Sequence, residues 1–194
     1  VVASSRETAA RLRQRGFDPV DANQVSRITL YIDGMDEVNA QRQMIKGGGG
    51  ALTGEKVLAS MADAFVAMGD GSKLVGCLGS FPVAVEVIAL ARSFVARELV
   101  KLGGDPVYRA GFLTDYGNPI LDVYNLPIDA AERWERDLNQ IPGVVCNGIF
   151  ARRRADKVFV ADADGVRCFW TGSVSRPWCA FTSAPCNSAR ERCA

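Results

Sequence analysis

Ile28-Thr29-Leu30-Tyr31-Ile32-Asp33-Gly34-Met35-Asp36-Glu37 is the stretch on which the fold turns. Its first five residues are β-branched, aromatic or aliphatic and run directly into Asp33-Gly34, so they predict a buried strand that ends in a turn. Acids collect at its carboxyl end, and in open α/β sheets ligands bind outside the carboxyl ends of the strands. Asp33, Asp36 and Glu37 are spaced so that two carboxylates can point from one turn into one crevice. A solvated acidic turn has the same local pattern, so the surrounding residues decide.

Downstream stands Lys46, followed by Gly47-Gly48-Gly49-Gly50. Successive glycines let the backbone approach a ligand and permit the positive φ values that aim several N–H groups at an anion or hydroxyl. The run does not match Gly-x-x-x-x-Gly-Lys-Ser/Thr, which disfavours nucleotide hydrolysis. Thr53 is placed to cap a helix in which Leu58, Met61, Ala62 and Phe65 recur at helical spacing, ending near Asp63 before a strand over residues 64–68. Glu55 then falls in the first helical turn, where the helix dipole favours an ionised carboxylate, although glutamate is ordinary there. Lys73 closes Gly69-Asp70-Gly71-Ser72-Lys73 as a point charge beyond the strand.

Working outward, residues 1–3 read as the end of a short strand, 8–15 as a helix stopped by Gly16, and 18–23 as a loop. Alternating strand and helix signals imply a parallel sheet. From Phe81 the pattern changes to a strand over 82–88, a helix over 91–102, a hairpin of 108–114 with 120–124, a helix over 130–140 and a strand over 144–150. That β-α-β-β-α-β order is the ferredoxin-like split arrangement. The predicted class is α/β, a Rossmann-like parallel sheet domain with an inserted ferredoxin-like α+β domain. Residues 1–80 and 151–168 make the first, returning through a strand at 158–161; 81–150 make the second, and 169–194 form an irregular tail.

Of the 194 residues 48% are hydrophobic and 23% charged, the make-up of an ordinary globular protein. Formal net charge is +1 with no run of one sign, which gives no reason to expect nucleic acid or a membrane surface as partner. No apolar run reaches the roughly 18 to 20 residues of a bilayer span, and no secretion-signal pattern opens the chain, so the expected compartment is cytoplasmic. Six cysteines without Cys-x-x-Cys spacing argue against a disulfide framework or a zinc site. The absence of histidine excludes Ser-His-Asp and Cys-His catalysis and leaves proton transfer to carboxylates, lysine, tyrosine or cysteine.

Together, Asp33-Gly34-Met35-Asp36-Glu37, Met44-Ile45-Lys46-Gly47-Gly48-Gly49 and Ala51-Leu52-Thr53-Gly54-Glu55-Lys56 resemble the acidic turn, glycine loop and catalytic helix of the ribose-5-phosphate isomerase A family. The likeness continues through Ser72-Lys73, Phe81-Pro82-Val83, Leu99-Val100-Lys101-Leu102-Gly103-Gly104, Ile141-Pro142-Gly143-Val144-Val145 and Asp164-Gly165-Val166. Carried over by position, it implies that Glu55 is the proton acceptor and that Asp33, Asp36 and Lys46 share in catalysis. It further implies that Asp33, Gly34, Met35, Asp36, Lys46, Gly47, Gly48 and Gly49 contact the sugar and that Lys73 helps to bind substrate.

The implied reaction interconverts D-ribose 5-phosphate and D-ribulose 5-phosphate through an enediolate. One base lifts a proton from one carbon and returns it to the next, which needs no cofactor. Lys46 and the loop N–H groups would be aimed at the enediolate oxygen, while Asp33 and Asp36 hold hydroxyls and assist ring opening. The implied partner is a small-molecule sugar phosphate, and the implied assembly a homodimer. Two departures stand out. The family has a strand and a Gly-Thr-Gly-Ser-Thr phosphate loop ahead of the region of Val1, so the expectation is a chain short of part of its N-terminus; and Gly54 and Met35 stand where the family has arginine and alanine. Competing readings are a sugar-phosphate-binding module without turnover and an acyl-CoA transferase-like enzyme.

Overall fold

A computed structural model describes residues 1–170. Residues 1–3 are irregular rather than a strand. Helix α1 (Arg6–Gln14) follows, capped by Ser5, whose hydroxyl accepts the Thr8 N–H at 3.1 Å, and Gly16 beyond its end takes a positive φ. Then come β1 (Ile28–Gly34), β2 (Glu37–Val38), β3 (Met44–Ile45), α2 (Leu52–Met61) and β4 (Ala62–Asp70). The chain continues through β5 (Val83–Val87), α3 (Arg92–Lys101), β6 (Asp105–Tyr108), β7 (Ile120–Tyr124), α4 (Ala131–Asn139), β8 (Val144–Asn147), β9 (Ile149–Phe150), β10 (Lys157–Asp162) and β11 (Gly165–Trp170).

Three sheets result. In the first, ordered β1-β4-β10-β11, both β1 and β10 run parallel to β4 and β11 folds back antiparallel on β10. In the second, ordered β6-β7-β5-β8, every pairing is antiparallel, and with α3 and α4 between strands this is the ferredoxin-like connectivity expected from the sequence. A small β2-β3-β9 sheet completes the set. One apolar core gathers Tyr31, Leu58, Phe65, Phe150, Val158 and Val160 on the parallel sheet. Another joins Val83, Val85, Val95, Leu99, Trp134 and Leu138 on the antiparallel one. In α4 the buried residues Ala131, Trp134, Glu135 and Leu138 follow a helical stripe, and each large apolar side chain so buried contributes about 2 kcal/mol. Among the described residues no helix is long and apolar enough to cross a membrane.

Several local expectations are corrected. The strand at 28–34 is not buried throughout: Tyr31 is, but Leu30 and Ile32 are 50% and 49% exposed. β1 is an edge strand, and alternate side chains leave by its other face. The first strand of the hairpin lies at Asp105–Tyr108 instead of 108–114, and residues 109–119 form its loop. Pro106 is tolerated there because β6 is itself an edge. The expected strand over 144–150 is broken at Gly148, whose N–H donates to Ala84 O at 2.8 Å and whose carbonyl accepts the Lys46 N–H at 2.9 Å. A side chain at that position would fall on Lys46 O, so the chain changes sheets there. Thr53 does not cap α2: Ala51 holds that position without a side-chain bond, and the Thr53 hydroxyl donates to Glu86. Phe169 and Trp170, expected in the irregular tail, pair with Val158 and Lys157 in β11. The rest of that tail, with Cys179, Cys186 and Cys193, lies outside the described residues.

Candidate active site

The parallel register sets Gly34 of β1 beside Met68 of β4, so both strands deliver their carboxyl ends to one edge. Asp33 comes from β1, Lys46 from the end of β3, and Glu55 from the first turn of α2. Lys46 is buried, and its ammonium donates to Gly34 O at 2.5 Å and lies 2.9 Å from Asp33 Oδ2 and 3.1 Å from Glu55 Oε2. The ammonium thus sits among three acceptors, bonded to Gly34 O and ion-paired with both carboxylates, those of Asp33 and Glu55.

Asp33 is fixed further, accepting the Tyr31 hydroxyl at 2.5 Å on Oδ2 and the Gly34 N–H at 2.8 Å on Oδ1. Burial first, then the Asp33 charge, pushes the Tyr31 pKa far up, so this phenol stays a donor. Glu55 is mostly buried, and its Oε2 receives no well-directed hydrogen bond, only the ion pair with Lys46. Burial raises its pKa above the ordinary 4.5; Lys46 opposes that shift, while the Asp33 and Asp36 charges add to it. A carboxylate with a raised pKa and a free lone pair is a stronger base than free glutamate.

Asp36 joins through the glycine loop, its Oδ2 accepting the Gly48 N–H at 2.8 Å. A Cβ on Gly48 would stand 2.8 Å from Asp36 Oδ1, so that contact requires glycine. Gly47 and Gly50 take φ of 111° and 80°, and the Gly50 N–H closes the turn on Gly47 O at 2.9 Å. Gly49 is exposed, and its N–H meets no acceptor among the described residues.

Other candidates fall elsewhere. Glu37 leaves the acidic turn for the interior, where it accepts N–H groups of Gly79 at 2.8 Å and Phe81 at 2.5 Å. Burial raises its pKa and those N–H groups work against the shift. The Met35 side chain is buried in the core beside Gly69. Lys73 sits in a short 3₁₀ turn after β4, outside the Asp33–Lys46–Glu55 cluster. Hydrogen bonds from Ser72, with the Lys73 charge adding to them, lower the pKa of the neighbouring Asp70.

Sequence reasoning missed three supports. Glu86 is fully buried and accepts from Thr53, from the Thr114 hydroxyl at 2.8 Å and from Asn118 Nδ2 at 2.9 Å, tying α2 to the 109–119 loop. Its signal was an acid inside the otherwise apolar Val83-Ala84-Val85-Glu86-Val87. Gly54 is required by space, since a side chain there would fall on Ser4 O and stand 3.1 Å from Tyr116 Oη. Arg109 braces the glycine loop and carried no sequence signal at all.

A family model described as ribose 5-phosphate isomerase A (phosphoriboisomerase A) matches residues 1–165. A ribose-5-phosphate isomerase A of Legionella pneumophila (strain Lens) is 59% identical over 165 residues, covering 85% of this chain and 76% of the relative. The crystal structure of ribose 5-phosphate isomerase A from Neisseria gonorrhoeae is 44% identical with a TM-score of 0.85, over 87% of this chain and 76% of that one. A D-ribose-5-phosphate isomerase in complex with phospho-erythronic acid is 35% identical with a TM-score of 0.84, over 88% of this chain and 77% of that one.

Proposed function

Because the chain belongs to the ribose 5-phosphate isomerase A family, and so to the enzymes that interconvert ribose 5-phosphate and ribulose 5-phosphate, we propose that Glu55 is the base of that reaction. The observation that carries this assignment is the Glu55 carboxylate itself, desolvated, raised in pKa and with Oε2 unsatisfied by any directed donor. In the open-chain aldose, Glu55 takes the C2 proton and returns it to C1, and the carbonyl moves from C1 to C2 through the enediolate. The hydroxyl proton on O2 passes to O1 as the carbonyl moves, and with that second transfer the proton count closes without any further reagent.

Charge develops on the enediolate oxygen as the proton leaves. The Gly49 N–H, at the positive end of α2 and without an acceptor, is the donor best placed to meet it. Lys46 acts mainly by holding Glu55 and Asp33 in place, and it opposes the upward shift of the Glu55 pKa. Asp33 and Asp36 take sugar hydroxyls, and Lys73 at the neighbouring strand end takes part of the substrate charge. Phospho-erythronic acid, bound by one of the related structures, is a phosphorylated sugar acid, the class of ligand this site would accept.

The same reading pairs residues 1–80 and 151–168 as the catalytic unit with 81–150 inserted, joins two copies as a homodimer and places the protein in the cytoplasm. Membership of the family sets it in the non-oxidative pentose phosphate route and leaves no observation in favour of mere sensing or of acyl transfer. A coupled assay for the ketose, run on wild type and Glu55→Gln, tests the base assignment. Loss of turnover of about a thousandfold or more supports it, and wild-type turnover by the variant removes Glu55 from that role.

A further inference from the structure

We infer that Arg109, clamped by Asp122, is a positioning residue that aims the peptide groups of the glycine loop at substrate. The inference rests on the site reading above. Arg109 opens the 109–119 loop, and its Nε and Nη2 grip both oxygens of Asp122 on β7 at 2.8 and 2.5 Å. Its remaining donors reach across to the loop, Nη1 to Gly47 O at 3.3 Å and to Gly48 O at 3.2 Å, and Nη2 to Gly47 O at 3.2 Å.

The consequence follows from peptide geometry. All peptide bonds of the described residues are trans, so the C=O and N–H of one peptide point in opposite directions. Pulling the Gly47 carbonyl toward the guanidinium sends the Gly48 N–H the other way, where it meets Asp36 Oδ2 at 2.8 Å. Pulling the Gly48 carbonyl sends the Gly49 N–H the same way, and that N–H has no acceptor among the described residues. Two successive peptides therefore span from Arg109 on one side to the acidic face on the other, and the cation polarises both in the sense that strengthens their N–H donors.

The arrangement needs an arginine. Only a planar fork serves a bidentate carboxylate and two carbonyls together, and a lysine ammonium cannot. The guanidinium also lies 5.3 Å from the Phe112 ring centre, and that ring fills the space a side chain on Gly50 would need. Glycines leave the loop otherwise free to sample many conformations. The inserted antiparallel unit thereby contributes to the chemistry without touching substrate.

The test measures kcat and KM for ribose 5-phosphate in wild type, Arg109→Ala, Arg109→Lys and Glu55→Gln, with guanidinium ion added back to the alanine variant. A misplaced donor costs on the order of 100-fold, and because the Gly49 N–H meets charge only in the transition state, the loss should fall mainly on kcat. Guanidinium should restore Arg109→Ala at least about tenfold, which a general loss of packing would not allow. Arg109→Lys keeps the charge beside Asp122 and should still lose about tenfold in kcat, a result available even if the alanine variant does not fold.

A kcat for either folded Arg109 variant within about twofold of wild type overturns the inference, as does a folded Arg109→Ala that guanidinium does not rescue. If Glu55→Gln is inactive while the Arg109 variants are normal, only the role of Arg109 fails. If Glu55→Gln turns over normally, the underlying site reading fails instead.

Discussion

Lys46→Met replaces the buried ammonium between Asp33 and Glu55 by an unbranched apolar side chain of similar length. The 2.9 and 3.1 Å contacts place the two carboxylate oxygens at most about 6 Å apart, a separation at which like charges repel by about 3 kcal/mol in an effective dielectric near 20. Losing the attraction at 3.1 Å costs up to about 5 kcal/mol by the same formula, and the partial exposure of Glu55 reduces that to on the order of 3 kcal/mol, or about 2 pH units. Burial already raises the Glu55 pKa, and Lys46 is what opposes the rise, so its removal moves the pKa further up.

The base must be ionised to work. The acid limb of the kcat/KM profile should therefore move up by about 2 pH units in Lys46→Met, with activity lost at neutral pH and partly recovered in alkali. Stability carries the same sign. A pKa raised in the folded state contributes proton-linked stability that is present below 4.5 and lost as pH rises through the folded value. Urea midpoints should fall as pH rises above 4.5, and more steeply in Lys46→Met than in wild type. A folded variant whose acid limb stays within about half a unit of wild type would refute the electrostatic account.

Gly48→Ala brings a methyl group against Asp36 and should lower kcat/KM about tenfold or more with little change in melting temperature, readable by steady-state kinetics. Gly54→Ala should destabilise by about 1–2 kcal/mol in chemical denaturation, because the clash with Ser4 O exceeds the roughly 1 kcal/mol gain in helix propensity. Glu86→Ala leaves Thr53, Thr114 and Asn118 without their buried acceptor and should cost about 3 kcal/mol or more in the same assay, whereas Glu86→Gln should cost less.

What the sequence revealed and what it hid follow from the range of the interactions. The strand at 28–32, the glycine run and the helix carrying Glu55 are local patterns, and each forms where its period and turn residues place it. The order of strands and helices after Phe81 was enough to read the ferredoxin-like unit, although β6 was misplaced because its apolar alternation is short and interrupted by Pro106. Of Asp33, Asp36 and Glu37 the spacing let two share one crevice, and spacing along a turn does not say that Glu37 is the one that turns inward to Gly79 and Phe81. The resemblance aimed the Lys46 ammonium at substrate, and only the three-dimensional arrangement shows it bonded to Gly34 and ion-paired with Asp33 and Glu55. Arg109 was invisible because the glycine-loop carbonyls it holds lie 61 and 62 residues away in the chain.

The most direct test of Glu55 as base is proton exchange in deuterium oxide, followed by NMR on ribose 5-phosphate mixed with wild type and with Glu55→Gln. Wild type should wash solvent deuterium into the transferred position of both aldose and ketose, and Glu55→Gln, though still able to bind the sugar phosphate, should introduce none. Deuterium entering at the wild-type rate in the variant would contradict the account.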